Sequence, residues 1–168
     1  MALQLFKIAD VAVQTPQATI DFTSIPQGYT DLLLVTSLRS DNTNSDLTLK
    51  VNSVITGYSW RQVYGTGSTV ASDTLSSQST LNRAGRVNGS GTTSNTFCSN
   101  QIYIPNYAGS TAKSFSIDGL YEDNATANRM TLIAGLSADT SAISSITLAI
   151  DGGGNFVANS TATLYGVL

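Results

Sequence analysis

The sequence predicts an all-β protein, an antiparallel two-sheet sandwich of jelly-roll type with about nine or ten strands. Apolar and polar residues alternate with a period of two over much of the chain, as in Leu47–Val51. Side chains on a strand point to opposite faces in turn, so such a segment buries one face and exposes the other. Turn residues separate these segments, and many short alternating segments joined by turns are typical of sandwiches.

The individual strands follow from this alternation and from the turn residues between them. Pro26 and Gly28 predict a turn after the second strand, because proline fixes φ and glycine permits positive φ. The segment Gly152–Gly154 is predicted to be the tip of a hairpin, since no helix follows it to make a phosphate loop. The predicted strands are residues 3–13, 18–22, 31–39, a strand from Leu47, 57–64, 96–104, 113–122, 130–137, 143–150 and 161–168.

The alternation also predicts which side chains form the core. The apolar positions of each strand are expected to face inward and the polar positions between them to face solvent. The run Leu32–Val35 has four consecutive apolar residues, which predicts a central strand covered on both faces or at an interface. The other expected inward sets are Phe115, Ile117 and Tyr121, then Met130, Leu132 and Leu136, and finally Ile146, Leu148 and Ile150.

We expect one domain over residues 1–168, with a long polar excursion at residues 65–94. This segment is rich in Ser, Thr, Gly and Asn and has few aliphatic residues. Connections of this length are usually functional or mobile. We predict one short strand near residues 79–83, and we expect the segment to be ordered only against a neighbouring molecule, since few apolar anchors offset its ordering entropy.

The composition limits the classes of partner. Charged residues make up 11% of the chain, and the net charge is −3, whereas soluble domains typically have about 25% charged residues. Phosphate neutralisation needs clustered Lys and Arg, so no nucleic-acid partner is expected. No apolar run reaches the roughly 18 residues that span a bilayer. We therefore expect no membrane partner, and we expect no secretory signal at the N-terminus.

The residue types that usually perform catalysis are scarce. The sequence has no histidine and one cysteine, Cys98, which excludes histidine-based triads and thiolate metal clusters. We expect Cys98 to be a small buried residue. Asp118 and Glu122 could share a strand face and flank a sugar, but a solvated rim is the favoured interpretation. Residues 41–46 lack the glycine and glutamate of a calcium loop. We predict no enzyme activity, no metal and no cofactor.

Aromatic side chains are the remaining candidates for binding. Tyr58, Trp60 and Tyr64 lie at even spacing on one predicted strand and so share a face, whereas Arg61 points the other way. Such aromatic rows occur in saccharide-binding sandwiches and in protein interfaces, and also in cores. Tyr107 follows Pro105-Asn106 and is expected to be exposed in its loop. We predict that Tyr58, Trp60, Tyr64 and Tyr107 contact a partner or a glycan.

Several segments together resemble a family of small virion proteins from tailed bacteriophages. The Ile-Pro-x-x-Tyr turn at residues 25–29 and the Leu-Tyr-Gly ending at residues 164–166 are the most specific of them. The resemblance omits residues 65–91. The matching segments are Met1-Ala2-Leu3 and residues 21–32, 93–97, 102–107, 113–116, 122–126 and 164–166.

The resemblance implies a jelly-roll sandwich on the virion exterior. We expect a capsid decoration (cement) protein, a homotrimer that clamps neighbouring major capsid subunits and stabilises the shell. Exposed strand edges and the apolar run Leu32–Val35 are suitable interface material for that role. The first alternative is a tail or head fibre module that recognises host polysaccharide through Tyr58 and Trp60. The second alternative, a glycan-acting enzyme, depends on Asp118 and Glu122 alone.

Overall fold

The computed structural model describes residues 4–43, 46–125 and 128–168, and every regular element in those ranges is a β-strand. No helix among the described residues has the length and apolar character needed to cross a bilayer. The strands are β1 (Leu5–Ala12), β2 (Thr19–Phe22), β3 (Asp31–Ser37), β4 (Leu47–Val51), β5 (Tyr58–Thr66), β6 (Thr69–Gln78), β7 (Ser99–Ile104), β8 (Lys113–Glu122), β9 (Asn128–Ser137), β10 (Ile146–Ile150) and β11 (Thr161–Val167).

The strands form two antiparallel sheets, which confirms the predicted sandwich. The larger sheet has eight strands in the order β1-β11-β3-β7-β8-β9-β5-β6, and the smaller has three in the order β2-β10-β4. Neighbouring strands in both sheets pair antiparallel. The sheets are unequal, so the finer expectation of a jelly-roll topology is not confirmed.

One apolar core lies between the sheets. The small sheet contributes alternating residues of β10 and β4, such as Leu148 and Leu49, which are directly paired and fully buried. The large sheet contributes Leu34, Ile102 and Ile117 from its central strands. The predicted inward sets of β4 and β10 are therefore confirmed. On β8, Phe115 and Ile117 are buried, and Tyr121 is half-buried.

The central position predicted for Leu32–Val35 is confirmed, but cover on both faces is not. This run belongs to β3, which lies between β11 and β7. Leu32 and Leu34 are fully buried, whereas Leu33 and Val35 are half-buried on the outer face. Leu33 is in register with Tyr103 on one side and Tyr165 on the other. Within the described residues, large neighbours in the same sheet partly cover the outer face.

The predicted polar excursion at residues 65–94 is partly wrong. Its first part contains the ten-residue strand β6, which pairs with β5 from Thr66↔Thr69 to Tyr58↔Gln78. β6 lacks an apolar alternation because it is largely exposed on both faces. The short strand predicted near residues 79–83 is a single bridge, in which Leu49 and Leu81 exchange two backbone hydrogen bonds of 3.0 Å.

The second part of the excursion is anchored in the core. Leu81, Ala84 and Val87 are fully buried, so this irregular stretch covers the inner face of the large sheet. The expectation of order only against a neighbour stays a prediction, and these anchors leave β6 as the part of the segment without apolar support. The turn at Gly152–Gly154 has positive φ at all three glycines. It joins β10 of the small sheet to β11 of the large sheet, so it is a crossover and not a hairpin tip.

Candidate docking surface

The outward face of β9 is apolar along its whole described length. The side chains of Met130, Leu132, Ala134 and Leu136 all point away from the core and are exposed. Met130 is 68% exposed and Leu132 is 60% exposed. The prediction that Met130, Leu132 and Leu136 face inward is therefore wrong.

The inward face of β9 has mostly small side chains because Leu81 already fills the space above it. Its residues are the half-buried Arg129 and the buried Thr131, Ile133, Gly135 and Ser137. A Cβ atom at Gly135 would lie 3.0 Å from both terminal methyl carbons of Leu81. Residue 135 must be small where Leu81 packs, so Ile133 is the one large apolar residue on the described part of the inner face of β9. Met130, Leu132 and Leu136 occupy the outer positions. The predicted alternation with a period of two is confirmed in β9, whereas the face predicted to point inward points outward.

Neighbouring strands extend this apolar surface. Leu132 is in register with Val63 on β5, and Met130 is in register with Leu120 on β8. Gly65, which faces Met130 from β5, is in register with Val70 on the edge strand β6. Val70 is 79% exposed. We call this surface the outer apolar face; its large side chains are Val63, Val70, Leu120, Met130, Leu132 and Leu136.

The outer apolar face contains a groove of about 550 Å³. Apolar side chains of Val63, Val70, Leu120, Met130 and Leu132 form most of its lining. Two charged residues flank β9 on this side: Arg61 on β5, in register with Ala134, and Asp118 on β8, in register with Leu132. Within the described residues, neither side chain makes an ion pair or a hydrogen bond.

Two of the predicted binding aromatics are core residues. Tyr58 and Trp60 share the inner face of β5, and their exposed fractions are 0% and 3%. The Tyr58 hydroxyl accepts a hydrogen bond of 2.9 Å from the backbone N–H of Val51. The Trp60 indole N–H donates one of 2.8 Å to Asn82 Oδ1. Their polar atoms are satisfied within the fold, so neither ring is presented on the surface.

The other two predicted aromatics are also held within the fold. Tyr64 is half-buried, and the guanidinium of Arg129 lies 3.9 Å from its ring centroid, which is a cation–π contact. The expectation that Tyr107 is exposed is wrong, because its exposed fraction is 0% and its hydroxyl donates to the carbonyl of Pro26. Burial raises the pKa of Tyr107. Arg61 points outward, opposite to Trp60, as predicted.

The acidic candidates divide between surface and core. Asp118 and Glu122 share the outer face of β8, as predicted, with Leu120 between them. Asp46, at the end of the segment considered as a calcium loop, binds Arg83 and Arg86 through its two carboxylate oxygens. Residues 44 and 45 of that segment lie outside the described residues. Within the described ranges, no three His, Cys, Asp or Glu residues lie close enough to hold a metal.

Three arginine residues that are dispersed in the sequence, Arg83, Arg86 and Arg129, lie close enough in the fold to interact. Burial lowers the pKa of Arg86, Asp46 opposes that shift, and Arg129 and Arg83 add to it. Arg83 and Arg86 lie 5.5 Å from the ring centroids of Trp60 and Tyr121. These contacts fix the long segment after β6 to both strands that carry the aromatics.

Cys98 is buried, as predicted. Its Sγ accepts hydrogen bonds of 3.3 Å from the backbone N–H of Leu38 and from Asn100 Nδ2. Burial raises the pKa of the thiol from 9.0 to about 11, although these hydrogen bonds oppose the shift. A thiol of this kind stays protonated and unreactive near neutral pH.

Comparison with protein-family models, with curated proteins and with solved structures finds no significant match to this chain. The described structure itself defines the class of protein: an all-β sandwich with an exposed apolar sheet face. The sequence contained one signal for that face: the positions between Met130, Leu132 and Leu136 include Thr131 and Gly135, which are small enough to face a core that is already filled.

Proposed function

We propose that this protein is a non-enzymatic structural protein that works by docking onto other protein surfaces. The single observation that carries this proposal is the outer apolar face, on which six large apolar side chains from four adjacent strands are exposed together. Contiguous exposed apolar patches mark interaction sites, whereas isolated exposed apolar residues do not. Together with the resemblance, this favours a decoration protein on the exterior of a phage capsid.

The two edges of the large sheet support the proposal by their difference. β1 has a register shift between Lys7 and Ala9 and an exposed ion pair of 2.7 Å between Lys7 and Asp10. Bulges and charged residues protect an edge strand against pairing with another chain. β6 has ten residues, of which Asp73 is the one with a charge, so this edge has little protection of that kind. The docking side of the sheet is therefore the side of β6 and β9.

The mechanism follows from mass action. A decoration protein that binds the assembled shell, and not the free subunits, stabilises the shell by a linkage term that grows with its concentration. Burial of apolar surface supplies about 25 cal/mol per Å², from which the loss of translational and rotational freedom must be subtracted. The scarcity of charge leaves few ionic groups to desolvate on docking.

The described structure does not favour the polysaccharide alternative. Saccharide-binding aromatics stack on sugar rings through an exposed face, and Trp60 and Tyr58 have their faces in the core. We therefore propose protein surfaces, namely the major capsid protein and further copies of this chain, as the partners. Localisation on the virion exterior belongs to the same proposal.

The proposal is tested by binding to capsids. The protein is mixed with DNA-filled heads that lack it, and bound protein is measured after sedimentation of the heads. We expect saturable binding that is weakened at least tenfold by Leu132→Asp and is unchanged by Ile55→Asp, a matched change at an exposed apolar residue away from the face. Absence of binding by the unchanged protein, or equal binding by both variants, would contradict the proposal.

A further inference from the structure

We infer that the outer apolar face is covered by the same face of a second copy, related by a twofold axis that runs parallel to β9. This inference rests on the proposed docking function and names a second copy as the partner that meets the face, in place of the homotrimer that the resemblance implies. Leu132→Asp then weakens binding to heads because the twofold pair contacts the shell at two places at once. A face-to-face contact of this kind is isologous, which means that each copy uses the same residues. The two large sheets then stack about 10 Å apart, the usual distance between packed sheets.

The first argument is that the described chain has no second apolar surface of similar extent. A head-to-tail contact between copies would require one, because an apolar face must meet an apolar counterpart. The other exposed large apolar residues that the structure describes do not form such a surface: Leu5 and Phe6 are consecutive on β1 and so point to opposite faces, and Ile55 lies in the loop between β4 and β5. Leu75 lies on β6 in register with the inward-facing Trp60, and Leu168 follows β11. Among the described surfaces of this chain, the counterpart that matches the outer apolar face is therefore the face itself.

The second argument is that Arg61 and Asp118, the charges that flank the middle of β9, are complementary under this twofold rotation; Glu122 lies farther along β8, at the end of that strand. Arg61 lies on β5 in the row of Ala134, and Asp118 lies on β8 in the row of Leu132. Both charged groups are exposed. A twofold axis along β9 places β5 of one copy opposite β8 of the other.

That arrangement brings opposite charges together twice. Arg61 of the second copy then lies opposite Ser116, which is one row from Asp118 on the same strand. One row is two residues, about 6.8 Å along a strand. An arginine side chain spans that step, so each interface contains two Arg61–Asp118 pairs, one at each side of β9.

The apolar residues occupy the space between these pairs. Met130, Leu132 and Leu136 of one copy lie along the axis and meet the same strand of the other copy, and Ala134 leaves room between them. Val63 and Leu120, on the strands at either side, extend the contact. The twofold pair therefore removes from water both the apolar row and the two unpaired charges.

The experiment measures the mass of the full chain in solution by sedimentation equilibrium. We expect a dimer for the unchanged protein, a monomer for Leu132→Asp, and a dimer for the control Ile55→Asp. Circular dichroism and thermal unfolding verify that each variant is folded. A monomer or a trimer of the unchanged protein would overturn the inference, as would a dimer that Leu132→Asp leaves intact.

Charge reversal tests the arrangement of the dimer itself. Arg61→Asp or Asp118→Arg alone places like charges opposite each other at both sites, and we expect a dimer weakened by about tenfold. The double variant Arg61→Asp/Asp118→Arg restores opposite charges and should restore the affinity. Apolar association in any other orientation would show no such rescue, and that result would overturn the inference.

The outcomes separate this inference from the proposed function. If the protein is a monomer whose binding to heads still depends on Leu132, the face docks on the shell directly, so the inference fails and the function stands. If the protein is the expected dimer but never binds heads, the function fails and the inference stands.

Discussion

Val63 and Leu132 face each other directly across β5 and β9, and both side chains point into solvent. Side chains directly opposite in an antiparallel pair interact as a unit. In a sheet with a solvated outer face such a pair is normally polar, because apolar residues alternate inward. Here the apolar pair is outward, and this inversion is the basis of the docking proposal.

The inversion predicts that substitutions at adjacent residues of β9 lower the free energy of unfolding by very different amounts. Ile133→Ala removes buried methyl groups from the core and should lower the free energy of unfolding by about 2–4 kcal/mol. Leu132→Ala alters an exposed side chain and should change it by less than about 0.5 kcal/mol. Urea unfolding of both variants at low protein concentration, where copies do not associate, measures the two values. Equal costs, or a larger cost at Leu132, would show that the face is assigned wrongly.

Gly135 is expected to tolerate no side chain. A Cβ atom there would lie 3.0 Å from the Leu81 methyl carbons and 3.2 Å from the Phe115 Cβ. Gly135→Ala should therefore destabilise the protein by about 1–3 kcal/mol, the usual cost of overpacking a core. Ala134→Ser, a change of similar size on the outer face, is the control and should be neutral. Thermal unfolding of the two variants decides, and an unchanged midpoint for Gly135→Ala would refute close packing at this site.

The carboxylate of Asp46 is expected to be essential for stability. It binds Arg83 and Arg86, and both it and Arg86 are largely buried. Asp46→Asn leaves buried guanidinium charge without its counter-ion, which typically costs about 3–5 kcal/mol. Asp10→Asn, which breaks the exposed pair with Lys7, is the control and should leave the unfolding midpoint unchanged. Similar midpoints for the two variants would contradict this prediction.

The thiol of Cys98 predicts a specific dependence of stability on pH. Its pKa is raised by burial from 9.0 to about 11 in the folded protein, so the unfolded chain loses the proton first as pH rises. The contribution is complete below pH 9 and is lost between pH 9 and 11, by roughly 3 kcal/mol, because one pKa unit corresponds to about 1.36 kcal/mol.

Comparison with Cys98→Ala isolates this effect from other groups. Burial also raises the pKa values of several tyrosines, among them Tyr58, Tyr107 and Tyr121, and their effect is common to both proteins. The difference in unfolding free energy between the two proteins should therefore be constant below pH 9 and should fall above it. A difference that stays constant up to pH 11 would mean that the thiol is accessible.

The sequence predicts the fold where one face of a strand is buried and its neighbours are polar. In β4, Leu49 and Val51 alternate with Lys50, so the inner face is evident. In β9 the same alternation leaves the direction open, because Leu81, distant in sequence, fills the space above Gly135. In β6 neither face is buried, so no alternation marks the strand.

The candidate site could not be predicted for a related reason. Aromatic residues such as Trp60 and Tyr107 occur in cores and in interfaces alike, and their hydrogen-bond partners Asn82 and Pro26 are far from them in the chain. The outer apolar face depends on the pairing order of β6, β5, β9 and β8. That order is a property of the whole sheet, and no local pattern specifies it.

Oxidation of Met130 by hydrogen peroxide, followed by mass spectrometry, tests the central claim most directly. Sulfoxide formation depends on access to the sulfur, and Met130 is 68% exposed in the single chain. Monomeric Leu132→Asp provides the rate for an open face. The account predicts that Met130 in the assembled particle is oxidised at least about tenfold more slowly than in that monomer. Equal rates in the particle and in the monomer would mean that the outer apolar face stays open to water, which contradicts the account.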